Sequence, residues 1–197
     1  MPRGLEFDLE NARATIIREF WERGYEGTSL GDLERATSLV RTSLYNAFGN
    51  KPAMFLDSLK LYHAAVEAQI AAMTEGRGSE ALADAICALM VGQGRTSSQP
   101  AGCLMVMTAT QSKTIAPGHL QLVRDYRQML VDKARQVLER DRQSGRLAPH
   151  VDPKGAAEFL ICVLWGALAA QCLGEDTKPA AAGADMVRTI IGGWLRN

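Results

Sequence analysis

The chain has 197 residues, of which 47% are hydrophobic and 22% are charged. This composition is ordinary for a folded protein, and it excludes wholesale disorder. Lysine and arginine together number 22, and so do aspartate and glutamate, which gives a formal net charge of +0 at pH 7. Bulk positive charge therefore cannot hold a nucleic acid, and such a partner would need a local charge pattern or a dimer.

The first residues are polar and lack the apolar segment of a secretion signal. The most apolar stretch, Phe159–Ala170, is shorter than the ~20 residues that a membrane-spanning helix needs, so we expect a buried helix there. These features predict a cytoplasmic protein without a membrane partner.

Cysteine and histidine spacing argues against a metal site or a disulfide framework. The cysteines lie far apart, without a Cys-x-x-Cys pair, which favours reduced and mostly buried thiols. The histidines have no zinc spacing, and no phosphate-binding glycine loop or catalytic motif is present. We expect no metal, no cofactor and no enzymatic activity. The cysteines are Cys87, Cys103, Cys162 and Cys172, and the histidines are His63, His119 and His150.

Helical periodicity runs along the chain and predicts an all-α fold of about nine helices. No run of alternating β-branched residues lies between turn signals, which argues against a sheet. Segments rich in glycine, proline and serine separate the longer helices. These breaks are near Thr74–Ser79, Gly92–Gly102, Ser112–Gly118, Ser144–Pro153 and Gly174–Pro179.

Three helices are predicted within the first fifty residues. The first, about Asp8–Arg23, is amphipathic and ends at Gly24. Thr28 or Ser29 caps a short second helix. The third helix, Arg41–Phe48, follows a tight turn. The inward stripe of the first helix consists of Leu9, Ala12, Ile16, Ile17, Phe20 and Trp21.

The third helix presents hydrogen-bonding side chains on its outer face. With Leu44 in the core, a helical angle of about 100° per residue brings Val40 and Ala47 to the inner side. The outer face then carries polar groups short enough to reach base edges or phosphates. These groups belong to Arg41, at the margin, and to Thr42, Ser43, Tyr45 and Asn46.

Individual contacts follow from the chemistry of these side chains. Arg41 could pair with guanine O6 and N7 or with a phosphate, and Asn46 could make the two-bond contact to adenine. Tyr45 and Lys51 suit phosphate contacts, and the backbone N–H groups near Thr28 offer another phosphate site. A solvated face on a short surface helix would show the same residues, so spacing alone leaves both interpretations open.

Two spaced patterns identify this part of the chain more closely. The first is aromatic-x-x-Gly-aromatic-x-x-Thr-Ser at Trp21–Ser29, and the second is Leu-Tyr-x-x-Phe-x-x-Lys at Leu44–Lys51. In combination they resemble the N-terminal domain of TetR-type (tetracycline-repressor-like) transcriptional regulators, over about Asp8–Tyr62. The resemblance implies a helix-turn-helix DNA-binding domain of residues 1–50, followed by an effector-binding and dimerisation domain of residues 51–197.

The same resemblance implies how the protein works. A homodimer binds a palindromic operator in double-stranded DNA, and a small-molecule effector in the middle domain releases it, as in a ligand-responsive repressor. Two other interpretations stay open. One is a thiol-based sensor of electrophiles or oxidants that uses Cys103. The other is a helical protein-binding module or enzyme that has lost DNA binding.

The turn before the third helix departs from the family pattern at two positions. Ser38 stands where a glycine is usual, and a positive φ there costs more without glycine. Val40 stands where Ser or Asn is usual, and its side chain cannot cap the helix. We call the helix-turn-helix domain of residues 1–50 the head. We therefore expect that the head folds but is less rigid than the corresponding domains of its relatives.

The last two predicted helices, about Pro153–Cys172 and Ala180–Leu195, are rich in apolar and small residues. The first is apolar nearly all round, so it has to be covered on most sides. Two such helices per chain suit a two-fold, four-helix dimer interface, although an intramolecular core would show the same pattern. The family resemblance favours the homodimer.

The middle helices are predicted at about Ser79–Gln93, Gly102–Gln111 and Gly118–Gln143, and the resemblance makes them the effector domain. Cys103 begins the second of them, where a helix N-terminus would favour a thiolate, although a small buried hydrophobe is the other interpretation. The charged run Arg124–Arg146 alternates in sign and predicts a solvated helix face. The candidate effector-binding residues, which would also suit a plain core, are Met90, Cys103, Met105, Met107, Tyr126, Met129 and Trp165.

Overall fold

The computed structural model describes residues 3–92, 100–111, 115–172 and 178–196, with side chains from Leu9 onward in the first range and from Ala180 in the last. Nine helices lie within these ranges, which confirms the predicted all-α class. The parts of the predicted breaks at 93–99, 112–114 and 173–177 lie outside the described residues. The helices are α1 (Arg3–Gly27), α2 (Leu30–Thr37), α3 (Arg41–Phe48), α4 (Lys51–Thr74), α5 (Ser79–Met90), α6 (Leu104–Thr110), α7 (Pro117–Gln143), α8 (Pro153–Gln171) and α9 (Lys178–Trp194).

The first three helices and the start of α4 enclose a small core. Phe20, Leu33 and Leu44 are fully buried in it, one from each of α1, α2 and α3. The ring of Phe20 packs edge-on against Phe55 of α4, with the ring centroids 5.0 Å apart. Because helices as short as α2 and α3 are marginal alone, this shared apolar core is what holds them in place.

A glycine interrupts α1 near its end. Gly24 has a φ of 72° and a ψ of 175°, so the last turn of α1 leaves the helix axis. A Cβ atom at this position would lie 2.4 Å from Nε2 of Gln111, which follows α6. The positive φ favours glycine here, and any larger residue would also have to displace the end of the Gln111 side chain. The predicted stop at Gly24 therefore coincides with the break in the helix.

Helix α4 connects the head to the rest of the molecule. Its N-cap residue Asn50 accepts a hydrogen bond from the Ala53 N–H at 3.0 Å, and a proline occupies the first turn. Further along, Tyr62 packs edge-on against Trp21 of α1, with the ring centroids 5.0 Å apart. Helix α4 also packs against α5 and α7. One helix therefore contacts both the head and the larger body.

Helices α5, α7, α8 and α9 form the larger core, in which α5 lies along α9 and α7 lies along α8. The end of α9 is attached to the turn before α8. The Ala148 N–H donates to the Trp194 carbonyl, and the Arg196 N–H donates to the Arg146 carbonyl, each at 2.8 Å. The buried side chains of this core include Leu82, Ile86, Leu130, Leu160, Leu164, Val187 and Ile191.

A buried carboxylate joins α5 to the end of α7. Asp141 accepts hydrogen bonds from the N–H of Ser79 at 2.7 Å and from its Oγ at 2.6 Å, and it also pairs with the Arg146 guanidinium. Burial acts to raise the pKa of Asp141, but these hydrogen bonds outweigh it and hold the pKa below its usual value. The prediction of a solvated face over Arg124–Arg146 is therefore wrong at Asp141.

Helix α8 is long and apolar enough to cross a membrane by length and composition alone, with a mean hydropathy of 1.3. In the structure it packs against α5, α6 and α7. The predicted buried helix is confirmed on one face, formed by Ala157, Leu160, Ile161 and Leu164. Only 39% of its apolar window is buried within the chain, so the other face stays open.

Candidate nucleic-acid interface and effector region

Helix α3 buries one side chain fully and leaves a polar face open. Leu44 is 0% exposed, as predicted, and Phe48 is half-buried beside it. The five predicted reading residues are all exposed on this one helix, so the structure brings them together. They are Arg41, Thr42, Ser43, Tyr45 and Asn46. Their contacts with DNA stay a prediction.

Two residues expected on the inner side of α3 lie outside. Val40 is 66% exposed, and Ala47 is also exposed, so their inward placement was wrong. Val40 is the N-cap residue, with an extended backbone at φ −70° and ψ 153°. The helical angle does not apply to a residue that precedes the first helical turn. Ala47 stays open because α3 is held mainly through Leu44, with Phe48 at its edge.

The turn between α2 and α3 has both of the weaknesses predicted from the sequence. Ser38 adopts the left-handed conformation, with a φ of 58° and a ψ of 17°. It has the only positive φ among the non-glycine residues that the structure describes. Val40 makes no side-chain capping hydrogen bond to α3. The turn therefore forms without the glycine and without the cap that would stabilise it.

The two cations predicted to contact DNA both have intramolecular partners. Arg41 donates through Nη2 to Oε2 of Glu34 on α2, at 3.1 Å, while 57% of its side chain remains exposed. The Lys51 ammonium lies 4.4 Å from the centroid of the Tyr25 ring, a cation–π contact that holds it at the edge of the head. Neither cation is therefore free in the absence of DNA, and a phosphate or a base would have to replace these partners.

The start of α2, where the backbone N–H groups near Thr28 were predicted to offer a phosphate site, uses the side chain of Thr28 for folding. Thr28 is 0% exposed, and its hydroxyl donates to the Gly24 carbonyl at 2.8 Å, so its side chain serves the core. Ser29 is the N-cap and forms a capping box with Asp32. Hydrogen bonds from the Ser29 hydroxyl and N–H lower the pKa of Asp32. The Asp32 carboxylate shares this helix end, and a phosphate contact by the backbone N–H groups near Thr28 stays a prediction.

His119 is a residue of the head–body contact that sequence reasoning missed. It is 6% exposed, and its Nε2 lies 3.0 Å from the Pro52 carbonyl in the first turn of α4. Its ring packs against Phe55 and Tyr25, with centroid distances of 5.3 and 6.1 Å. The start of α7 is thereby attached to the start of α4. An isolated histidine after a Pro-Gly pair carries no sequence signal for such a contact.

Three of the predicted effector residues meet inside the body. The ring of Tyr126 lies 6.1 Å from that of Trp165, and its hydroxyl lies 3.9 Å from Cys103 Sγ. Sequence reasoning missed two members of this cluster, which come from α4. His63 packs edge-on against Tyr126 at 5.5 Å, and Tyr62 lies 6.1 Å from it. The sequence did not indicate that Tyr62 and His63 contact Tyr126, because these residues lie more than 60 positions apart in the chain.

The four predicted methionines belong to the packed core. Met90 and Met105 are buried, and Met107 and Met129 are partly buried against the same cluster. None of the seven candidate effector residues lines either of two cavities in the described part of the chain. One is a groove of about 480 Å³ between α4 and α7, and the other an apolar gap of about 10 Å³. A shared effector site for the methionines stays a prediction.

Cys103 lies where the sequence placed it, at the start of α6, and its thiol is buried. It is the N-cap residue of α6 and is 0% exposed. Burial raises the pKa of the Cys103 thiol, and the hydrogen bonds from its neighbours do not offset this. Of the two interpretations left open by the sequence, the structure favours the small buried hydrophobe, because desolvation outweighs the helix end.

The outer faces of α8 and α9 form one surface of apolar and small residues, which we call the α8–α9 surface. Phe159 is 44% exposed and Met186 is 58% exposed, although both are large hydrophobic residues. The ring of Phe159 contacts that of Trp194 on α9, with centroids 6.4 Å apart. Exposed residues follow the helical repeat on both helices: Gly155, Phe159, Cys162 and Gly166 on α8, and Ala182, Met186, Thr189 and Gly193 on α9.

Two family models match the chain. The model described as bacterial regulatory proteins, tetR family, matches residues 13–57, and the tetracyclin repressor-like C-terminal domain matches residues 79–187. The chain is also 34% identical over 168 residues to the HTH-type transcriptional repressor ComR of Escherichia coli (strain K12). That match covers 81% of this chain and 77% of ComR.

Solved structures share the fold over nearly the whole length. A TetR transcriptional regulator from Chloroflexus aurantiacus J-10-FL has a TM-score of 0.84 and 22% identity, with 99% of each chain covered. A cysteine mutant of the TetR family regulator CifR, solved with 26bp double-strand operator DNA, has a TM-score of 0.80 and 25% identity. That match covers 96% of this chain and 98% of CifR. The chain therefore belongs to the TetR family of bacterial regulatory proteins.

Proposed function

We propose that this chain is a cytoplasmic, non-enzymatic transcriptional repressor that binds a palindromic operator in double-stranded DNA as a homodimer. Residues 1–50 form the DNA-reading head, and residues 51–197 bind the effector and the second copy. The observation that carries the proposal is the open face of α3. This face presents exposed polar side chains, while Leu44 on the opposite side anchors the helix in the core. Family membership and the relative ComR, a repressor by name, support the same conclusion.

The α8–α9 surface supports the homodimer. Exposed large hydrophobics are costly unless a partner covers them, and small residues beside them allow helices of two chains to approach closely. A two-fold axis through this surface gives two reading heads, as a palindrome requires. The dimer also explains how a chain with no net positive charge could hold DNA. Two heads that bind one duplex together have a higher affinity than one head alone.

Helix α4 supports a mechanism for release. Its first turn contacts His119 and the core of the head, and its next turns contribute Tyr62 and His63 to the cluster around Tyr126. A small effector that rearranges this cluster would tilt α4 and change the spacing of the two heads. An effector with a few kcal/mol of differential affinity between the two spacings suffices for release.

Selection of bound duplexes from a random DNA pool tests the proposed function. We expect enrichment of a palindrome, with binding that weakens as salt increases because phosphate contacts release counterions. The selection is repeated with candidate small molecules and oxidants, and we expect a non-covalent effector to lower the recovery. A chain that enriches no sequence would instead be the protein-binding module or enzyme considered from the sequence.

A further inference from the structure

Val40 presents a branched apolar side chain to solvent beside the reading face. At 66% it is the most exposed of the large hydrophobic residues in the described part of the chain. Phe159 and Met186, which are also exposed, lie on the α8–α9 surface, and Tyr45 lies on the reading face of α3. Phe159, Met186 and Tyr45 thus have a proposed partner. Leu9, which the sequence placed on the inward stripe of α1, is also exposed, but only to 36%. Val40 is far more open, and its role has still to be explained.

Local structure does not explain a valine at this position. The side chain of Val40 does not pack into the core of the head, and it makes no capping hydrogen bond to α3. Serine, threonine, aspartate or asparagine would serve the start of a helix better, since each can accept a backbone hydrogen bond there. A β-branched apolar residue is therefore unfavourable at Val40 for folding alone.

The position of Val40 indicates what the side chain contacts. In a helix-turn-helix head, the N-terminal residues of the recognition helix contact base edges in the major groove. Val40 immediately precedes Arg41, whose guanidinium is drawn toward Glu34 on α2. The apolar feature of the major groove that distinguishes one base is the C5-methyl group of thymine.

We propose that Val40 reads the C5-methyl group of a thymine in each operator half-site, next to the base that Arg41 contacts. This inference rests on the proposed function and adds a base-reading residue that the polar pattern of α3 does not include. Covering the methyl group with the valine side chain removes apolar surface of both partners from water. The contact is specific because cytosine and the purines lack this methyl group.

Uracil substitution tests the contact, because uracil differs from thymine only in lacking the C5-methyl group. The operator selected by the wild-type chain is synthesised with each half-site thymine replaced in turn by uracil, and affinities are measured by fluorescence anisotropy. We expect one thymine position of the half-site at which a single uracil weakens wild-type binding about 4-fold, the effect of losing one buried methyl group. Replacement of the other thymines should change affinity less.

Three substitutions separate base reading from folding. Val40→Ser restores a cap, so its α3 should be at least as stable, yet it should bind the thymine operator more weakly and lose all sensitivity to uracil at the assigned position. Val40→Ala should also lose the sensitivity. Val40→Ile keeps a branched apolar side chain and should retain it. Thermal unfolding of each variant confirms that the head is folded.

Three results would overturn the assignment. One is a selected half-site that contains no thymine, and another is wild-type binding that no uracil weakens. The third is a Val40→Ser variant that remains as sensitive to uracil as the wild type. Failure of the proposed function looks different, because the wild-type chain would then enrich no sequence at all, and the role of Val40 would fall with it.

Discussion

At the scale of single residues, the turn between α2 and α3 is built from side chains that are poor choices for it. Ser38 adopts a left-handed conformation that favours glycine, and Val40 begins a helix without capping it. Both departures were visible in the sequence, because the family pattern places glycine and a polar cap there. The outward direction of Val40 was not visible, because helical angles are undefined at an N-cap.

Ser38→Gly should stabilise the protein by about 0.5–1 kcal/mol, since relief of the left-handed strain exceeds the added entropy of the unfolded chain. Urea unfolding measures the change. Ser144→Gly is the matched control, because Ser144 ends α7 with an ordinary φ of −81°. That control should be neutral or destabilising. Equal effects of the two substitutions would contradict strain at Ser38.

The thiols should differ in reactivity according to their exposure. Because Cys103 is 0% exposed and its pKa is raised by burial, it should react with a thiol reagent at pH 8 at least ~100-fold more slowly than Cys172, which is exposed. Ellman-type kinetics on the wild type, Cys103→Ser and Cys172→Ser identify the phases that belong to these two of the four thiols. Loss of the fastest phase in Cys103→Ser would restore the sensor interpretation.

At the scale of elements, the positions of glycine and proline in the sequence predicted several helix boundaries. The end of α7 at Gln143 and the starts of α5 at Ser79 and α8 at Pro153 were placed correctly. Contacts between elements could not be predicted, since they join residues far apart in sequence. Asp141 is the clearest case, because its partner Ser79 lies 62 residues away and its charge suggested a solvated position.

Asp141→Asn should cost about 2 kcal/mol, because an amide cannot accept from Ser79 and pair with Arg146 as a carboxylate does. The folded pKa of Asp141 lies below its usual value, so its stabilisation is present above about pH 4 and is lost as pH falls through the folded pKa. The variant should therefore lose less stability than the wild type in acid.

Urea unfolding at pH 7 and at lower pH measures both effects of this substitution. Asp132→Asn is the control, because Asp132 pairs with Arg135 at the surface with 41% of its side chain exposed. It should change stability by less than ~0.5 kcal/mol. A loss for Asp141→Asn no larger than that of the control would refute the buried link between α5 and α7.

At the scale of the whole molecule, the sequence predicted two apolar C-terminal helices but could not say which faces they bury within the chain. The structure separates the inner face, with Leu160 and Leu164, from the α8–α9 surface. Three of the candidate effector residues, Cys103, Tyr126 and Trp165, meet in one cluster, whereas the sequence did not indicate that Tyr62 and His63 join it. Effector binding by this cluster stays a prediction. Periodicity gives the face of each helix but not its neighbour.

Phe159→Glu should weaken the proposed dimer at least ~100-fold, because it would place a charge in an interface that excludes water. Sedimentation of the variant at micromolar concentration should show a folded monomer, and its operator binding should weaken with it. Ala68→Glu places the same charge on an exposed position of α4 and should remain dimeric. A Phe159→Glu dimer as tight as the control's would place the interface elsewhere.

Anisotropy titration of the selected operator with wild-type protein, Arg41→Ala, Tyr45→Ala and the body control Arg135→Ala tests the central claim most directly. The claim predicts that two wild-type chains bind each palindrome. Loss of either reading residue should then weaken binding at least ~10-fold. Arg135 lies on α7, away from the head, and its removal should leave the affinity unchanged. Unchanged binding by both Arg41→Ala and Tyr45→Ala would contradict the assignment of α3 as the reading helix.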